Sequence, residues 1–176
     1  MKYTSINIQG NLISEEILQK IEDSESSGQL AKDFGFEAGI NIRSEIEYAW
    51  SKIKLDWKYF SERTEKLPSS DPYGTSLSRK WMISFLGSLG FDLALQKASL
   101  QGANHQLYNI SHTSTNLDEF PVHIVGFLDP SHPEKNTLDI RSSGGTSRLS
   151  PHATIQEYLN VTEYVYGMAT NGLVLR

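Results

Sequence analysis

"RLSPHATIQEYLN", residues 148–160, predicts a short helix close to the end of the chain. Ser150 can cap the first turn through its side-chain oxygen, and Pro151 stands at the first helical position, where its missing N–H costs nothing. Strand-like runs lie on both sides of this helix: "EFPVHIVGFLD" at 119–129 and "EYVYGMATNGLVLR" at 163–176. A strand, a helix and further strands in this order predict a sheet with the helix packed on it.

Two longer helices are predicted before the strands begin. In "NIRSEIEYAWSKIKLDWKYFSERTEK", residues 41–66, apolar residues recur at spacings of three and four, and charged residues fall on the other face. The apolar residues of this pattern are Ile42, Ile46, Ala49, Trp50, Ile53, Trp57 and Phe60. "LSRKWMISFLGSLGF", residues 77–91, predicts a second helix that packs Leu77, Trp81, Phe85, Leu86 and Leu89 and ends at Gly90.

The first 40 residues predict a smaller, separate part of the chain. An extended run at 3–8 precedes a helix for which Ser14 is the N-cap, with glutamates in its first turn. Residues 22–40 are acidic and rich in serine and glycine, and we predict a linker with a small apolar anchor at Phe34 and Phe36.

Short strands with turn residues between them are predicted from about residue 92 onward. "FDLALQKASLQGANHQLYNISHTS", residues 91–114, predicts a hairpin across residues 101–104, and "NTLDIRSS", residues 136–143, predicts a shorter strand. Asn171-Gly172 is the dipeptide most typical of a tight hairpin. The fold class predicted is α/β of the α+β type, in which the N-terminal helices pack on a small mixed sheet.

These elements predict two parts: an N-terminal helix and linker at 1–40, and an α/β domain at 41–176. The chain ends at "LVLR", inside an apolar strand with no polar tail. Natural domains rarely end in this way, so we expect the second part to be truncated at its C-terminus.

The composition narrows the classes of function. No cysteine is present, which excludes disulfides, thiolate catalysis and cysteine-based zinc sites. No apolar run approaches the roughly 18 residues of a membrane span, and the N-terminus lacks a signal peptide's apolar region, so a cytoplasmic protein with no membrane partner is predicted. The net charge of −5 disfavours a wholly basic DNA-binding surface. Any contact with nucleic acid is therefore expected to be local.

The five histidines do not form a metal-binding motif. None of their spacings is i, i+4 on a predicted helix, and no H-E-x-x-H pattern accompanies them. His123 falls in an alternating strand, where it is expected to be a hydrogen-bonded residue of either the core or the sheet edge.

The loop "SSGGTSR", residues 142–148, precedes the N-terminus of the predicted last helix. Free N–H groups and the positive end of the helix dipole favour anions at such a place. The loop lacks the Gly-Lys-Ser/Thr ending of a nucleotide P-loop and the G-x-G-x-x-G spacing, which disfavours a nucleotide site. A contact with a DNA phosphate, aided by Arg141, Arg148 and His152, is the favoured alternative.

Two acids form the other candidate site. Asp129 ends one predicted strand and Asp139 lies in the next, with Arg141 two residues later and Gln156 on the helix beyond. Two such carboxylates can bind Mg²⁺, which then activates a water for attack on a phosphodiester. The alternative is that Asp129 is a turn residue before Pro130 and that Asp139 pairs with Arg141 or with the loop.

The segment "SPHATIQEYLN" followed by "YVYGMATNGLVLR" resembles the N-terminal region of fused type IIG restriction-modification enzymes and of related phage-defence adenine methyltransferases. In those proteins Ser-Pro-His, then Gln-Glu-aromatic-Leu-Asn, then Asn-Gly-x-x-Leu-Arg precede the methyltransferase. The runs "GNLI", "RKWMISFLGSLGF", "ISH", "PVHIVG" and "LDIR" occur upstream in the order that the resemblance leads us to expect.

The order of the predicted strands and helix is also similar to that of PD-(D/E)XK nuclease domains. This resemblance implies that Asp129 and Asp139 are metal ligands, that Arg141 replaces the catalytic lysine, and that Gln156 assists from the helix. Arginine cannot lose a proton to serve as a base. The resemblance therefore implies a degenerate nuclease-like domain with Mg²⁺ as its possible ion.

Together the two resemblances imply the N-terminal DNA-handling domain of a DNA methyltransferase. S-adenosylmethionine would be the cofactor of the parent protein, because no motif for it occurs in these 176 residues. The expected partners are DNA and the downstream methyltransferase domain of the same chain. The alternative is a non-catalytic interaction domain whose long amphipathic helix and acidic surface contact the rest of the parent protein.

Overall fold

The computed structural model describes residues 13–37, 39–116, 119–141 and 148–176. The predicted strand at 3–8 and the Gly/Ser segment at 142–147 lie outside the described residues. The chain divides into two compact units, residues 1–48 and residues 49–176.

The first unit holds a short α-helix, a 3₁₀ helix and the start of a long helix. Helix α1 spans Glu15–Glu22, and its predicted cap is confirmed because the Ile17 N–H donates to Ser14 Oγ at 3.3 Å. The 3₁₀ helix spans Ala31–Phe34. The predicted apolar anchor at Phe34 and Phe36 is wrong, since both rings are exposed.

Helix α2 spans Ile42–Thr64 and helix α3 spans Thr75–Ser88, so both predicted helices are confirmed. Only Ile53 and Phe60 of the apolar pattern predicted for α2 are buried. Trp81, Met82 and Leu86 of α3 are buried as well. The N-terminus of α3 is satisfied by the Asp71 carboxylate, which accepts the first three main-chain N–H groups of the helix at 2.8–3.2 Å.

The rest of the second unit contains six short strands and one helix. Their bounds are β1 Leu93–Leu95, β2 Leu100–Gln101, β3 Leu107–Tyr108, β4 His112–Ser114, β5 Pro121–Ile124, α4 Pro151–Asn160 and β6 Met168–Thr170. A four-stranded sheet has the order β1-β4-β5-β6, and β2 pairs with β3 across the predicted hairpin. The β1–β4 and β4–β5 pairs are antiparallel, whereas β5 and β6 are parallel. The described part of the chain is an α+β fold with a small mixed sheet, as predicted.

Helices cover both faces of this sheet. Val122 and Ile124 of β5 pack with Phe60, Trp81 and Leu86 of the first two long helices. Because side chains alternate along a strand, His123 and its neighbour Ala169 on β6 point to the opposite face. There Ala169 packs with Ile155 and Tyr158 of α4. Helix α4 thus forms the crossover between the parallel strands β5 and β6.

The strand predicted at 136–143 is wrong in its described part. Residues 137–140 form a turn, in which Leu138 is fully buried and the Thr137 hydroxyl donates to the Gly126 carbonyl oxygen at 2.7 Å. The strand predicted up to Asp129 is also shorter than expected, because β5 ends at Ile124. Asp129 and Asp139 therefore both lie in turns and not on strands.

No helix in the described ranges is long and apolar enough to cross a membrane.

Candidate nucleic-acid interface

The start of α4 is joined to the turn at 137–140. Ser150 caps the helix as predicted, since its Oγ accepts the Ala153 N–H at 3.3 Å. The His152 N–H, which has no acceptor within the helix, donates to the Leu138 carbonyl oxygen at 3.1 Å. This contact places the half-buried His152 beside the turn that carries Asp139.

Asp139 is paired with Arg176, the last of the described residues. Arg176 Nη1 and Nη2 donate to Asp139 Oδ1 and Oδ2 at 2.5 and 3.0 Å. These hydrogen bonds hold the pKa of Asp139 below its usual range, and the charges of Arg176 and His152 lower it further. The site therefore brings together a carboxylate, an imidazole and a guanidinium, and all three remain at least partly exposed.

Asp129 stands in a different environment. Its side chain is buried, and its Oδ1 accepts the Ser131 N–H at 2.9 Å while its Oδ2 lies 3.8 Å from His132 Nδ1. These contacts are those of a turn residue, which is the alternative that the sequence left open for Asp129.

The other predicted site residues are exposed. Arg141 lies two residues after Asp139, and Arg148 lies two residues before the cap of α4. Gln156 faces solvent from the second turn of the helix. The neighbouring Glu157 accepts a hydrogen bond from the Tyr108 hydroxyl at 3.0 Å, which ties α4 to β3.

Magnesium would need oxygen ligands that are not already engaged. Both oxygens of Asp139 accept hydrogen bonds from Arg176, so an ion bound there would have to displace a guanidinium. Across the four described ranges, no group of three or more histidine, aspartate or glutamate residues is arranged to hold a metal ion. A metal ion at this site would therefore compete with Arg176 for the oxygens of Asp139.

Sequence reasoning missed Arg176. As the alternative to a metal ion, the sequence offered a local partner for Asp139, either Arg141 or the loop, whereas the observed partner is 37 residues away. The "Leu-Arg" that ends the resembling segment was the one available signal, and it gave no partner for the arginine.

Sequence reasoning also missed that two histidines of neighbouring strands, His112 of β4 and His123 of β5, have strongly lowered pKa values. His112 is 2% exposed, and its Nδ1 lies 2.8 Å from Ser111 Oγ. Among the described residues, Nδ1 of His123 is buried without a hydrogen-bond partner, as is Nε of Arg79 on α3. Burial, and secondly the charge of Arg79, lowers the pKa of each imidazole from 6.5 to about 4. His123 thus lies on β5, an interior strand of the sheet, and among the described residues its Nδ1 does not form the hydrogen bond that was expected of this side chain.

The geometry defines an α+β domain in which the side chains of Asp139, Arg176 and His152 meet at the start of α4. Comparison with family models, with curated proteins and with solved structures found no match to this chain.

Proposed function

We propose that this chain is a DNA-handling domain of a cytoplasmic restriction-modification enzyme or phage-defence DNA methyltransferase of a bacterium or archaeon. It is a degenerate, nuclease-like module that contacts the DNA backbone without cutting it. Its parent protein would use S-adenosylmethionine to methylate adenine in DNA. The observation that carries the proposal is the Asp139–Arg176 pair beside His152 at the start of α4.

A DNA phosphate fits this site because it can replace the carboxylate of Asp139. Arginine binds phosphate and carboxylate in the same bidentate geometry. Arg141 and Arg148 are exposed on neighbouring segments of chain and add positive charge. The engaged state of Asp139 and the absence of a lysine two residues later support a degenerate nuclease.

Replacing Arg141 and Arg148 together by glutamine is expected to weaken binding to duplex DNA by about tenfold at 0.1 M salt. Each lost phosphate contact should also reduce the slope of log affinity against log salt by about 0.9. Fluorescence anisotropy with one labelled duplex, at several salt concentrations, measures both quantities. The Lys20→Gln/Lys97→Gln variant is the control, because it removes the same charge from exposed positions elsewhere.

Asp139→Asn sharpens this experiment. The variant removes the acid that competes with a phosphate for Arg176, so it should bind DNA a few-fold more tightly than the wild type at low salt. Unchanged affinity in both variants, or wild-type binding that does not respond to salt, would contradict a phosphate contact at this site.

Plasmid DNA is expected to stay supercoiled with the wild type and with Asp139→Ala, in Mg²⁺ or in Mn²⁺. The reason is that Arg176 engages Asp139 and that Arg141 cannot act as a base. Agarose gel electrophoresis after long incubation measures this. Nicking by the wild type that disappears in Asp139→Ala would show an active nuclease and would overturn the degenerate assignment.

A second candidate function is a non-catalytic interaction domain, and the surface of α2 favours it. Leu55 is 68% exposed and Trp50 is 57% exposed, although both are large apolar residues of a helix in the second unit. Burial of such residues against another protein would be favourable. In this case the salt series above would show no binding to DNA.

A further inference from the structure

A shallow groove of about 520 Å³ runs along the solvent side of α2 and α3 within the second unit. Residues of both helices line it: Leu55, Asp56, Lys58, Tyr59, Glu62, Arg63 and Lys80. This region differs in charge from the chain as a whole. Residues 49–90 contain seven lysines and arginines against four aspartates and glutamates, whereas the full chain has a net charge of −5.

Two cations from different helices meet at the ring of Tyr59. Arg63 Cζ lies 3.5 Å from the ring centroid, and Lys80 Nζ lies 4.5 Å from it. Lys80 Nζ also donates to the Tyr59 hydroxyl at 3.3 Å, and Arg63 Nη1 donates to the Tyr59 carbonyl oxygen at 3.2 Å. The hydrogen bond from Lys80, and then the charges of Arg63 and Lys80, lower the pKa of Tyr59. The aromatic ring thus holds two flexible side chains in one place.

The acids of the groove are paired with other groups. Glu62 lies 3.9 Å from Lys58, and Asp56 accepts a hydrogen bond from Ser84 at 2.7 Å and lies 3.4 Å from Lys52. Arg63 and Lys80, by contrast, have no carboxylate within 4 Å in the part of the chain that the structure describes. Two neighbouring positive charges without an acid repel each other, and an anion between them would relieve this repulsion.

We propose that this groove is a second contact for the phosphate backbone of DNA. Arg63 and Lys80 bind one phosphate, and the hydroxyl of Tyr59 donates to the same group. The inference rests on the proposed function, in which the chain handles DNA. The contact carries no sequence information, because all three groups reach phosphate oxygens and none reaches a base edge. Helices α2 and α3 cover the face of the sheet opposite α4, so the groove and the start of α4 are separate sites that can be tested independently.

Replacing Arg63 and Lys80 together by glutamine is expected to weaken duplex binding by about tenfold at 0.1 M salt and to reduce the salt slope by about 0.9, because one phosphate contact is lost. The loss should be equal for duplexes of unrelated sequence. The Lys20→Gln/Lys97→Gln variant is again the charge-matched control, and circular dichroism and thermal unfolding should show an intact fold for both.

Tyr59 is a positioning residue as well as a hydrogen-bond donor, and two variants separate these roles. Tyr59→Phe keeps the ring beneath the two cations and should lose at most about threefold in affinity, with an unchanged salt slope. Tyr59→Leu removes the ring and should lose more, with a reduced slope, because Arg63 and Lys80 are no longer held together. Equal behaviour of the two variants would overturn this role of the ring.

The possible results distinguish the two proposals. If the wild type binds DNA and the Arg141→Gln/Arg148→Gln variant weakens it, but Arg63→Gln/Lys80→Gln behaves as the control does, the groove is not a DNA contact and the proposed function stands. If the wild type binds no DNA at any salt concentration, both proposals are overturned. Preferential binding of poly-glutamate over DNA that is lost in Arg63→Gln/Lys80→Gln would assign the groove to acidic protein partners and overturn the inference.

Discussion

Acidification from pH 7.5 to pH 5 is expected to lower the free energy of unfolding by about 4 kcal/mol through two histidines, His112 and His123. Burial, and then the charge of Arg79, lowers the pKa of both imidazoles from 6.5 to about 4. A protonated imidazole must donate from both ring nitrogens, and the buried Nδ1 of His123 has no acceptor among the described residues. Most domains are stable by only about 5–15 kcal/mol, so mild acid should bring this one close to unfolding.

The direction of this effect follows from proton uptake by the two states. The unfolded chain binds protons at its histidines near pH 6.5, whereas the folded chain binds them only near pH 4. The stability is therefore complete above pH 6.5 and is lost progressively as the pH falls from 6.5 toward 4. The Arg176 pair also lowers the pKa of Asp139, but a carboxylate titrates below this window.

Urea unfolding at pH 7.5, 6.5, 5.5 and 5 measures the effect. His123→Gln removes one of the two titrating rings and should show about half of the wild-type pH dependence. Val122→Ala is the control, because it destabilises the neighbouring core position without removing a titratable group, so its free energy should be lower by a constant amount at every pH. A wild-type free energy that is flat between pH 7.5 and 5 would contradict the prediction.

The local features of this fold were predictable from the sequence. Ser150 and Pro151 begin α4 as capping chemistry dictates, and the 3.6-residue period located α2 and α3. The same period did not predict which residues are buried, since Trp50 and Ile46 of α2 are exposed. A helical pattern shows which side of a helix is apolar, but it does not show whether another element packs against that side.

The strand predicted at 136–143 failed for a related reason. Leu138 and Ile140 alternate with polar residues, which is typical of a half-buried strand. In the structure Leu138 is buried from a turn, and Thr137 and Asn136 bind other loops through their side chains. A turn that is tied to the core by its side chains has the same alternation as a strand over so few residues.

The candidate site could be predicted only in part. His152 and Asp139 are neighbours in the structure, whereas the sequence assigned them to separate candidate sites, His152 to a phosphate contact and Asp139 to a metal ion. The position of Arg176 depends on β6 and on the hairpin that follows it, in which the Ala169 and Arg176 main chains exchange two hydrogen bonds. A contact between residues so far apart in the sequence arises from the sheet topology, which a single sequence does not specify.

Asn171→Asp is expected to lower the free energy of unfolding by about 4 kcal/mol at pH 7.5, although the two side chains have the same shape. Asn171 is 3% exposed. Its Nδ2 donates to Asn136 Oδ1 and Thr137 Oγ1 at 3.1 and 3.0 Å, and its Oδ1 accepts the N–H groups of residues 173 and 174. An aspartate would place a second acceptor oxygen against Asn136 and Thr137 and would bury a charge.

The partners of Asn171 cannot easily adapt to this change. Asn136 Oδ1 also accepts the Leu138 N–H at 3.0 Å, and the Thr137 hydroxyl donates to Gly126, so neither can turn a donor toward an aspartate without losing a hydrogen bond. The Asn171-Gly172 turn is also fixed to α3. The Ser78 hydroxyl donates to the Asn171 carbonyl oxygen at 2.8 Å, and the Trp81 indole N–H donates to the Gly172 carbonyl oxygen at 3.0 Å.

Thermal and urea unfolding of Asn171→Asp, Asn171→Ala and Asn160→Ala test this account. Asn171→Ala removes the same hydrogen bonds without adding a charge, and should cost about 3 kcal/mol. Asn160→Ala, at the exposed end of α4, should change the stability by less than about 0.5 kcal/mol. If Asn171→Asp were as stable as the wild type, the Asn-Gly pair would serve only as a hairpin turn. The predicted loss instead assigns Asn171 to the junction of β6, the turn at 137–140 and α3, the same turn that positions Asp139 for Arg176.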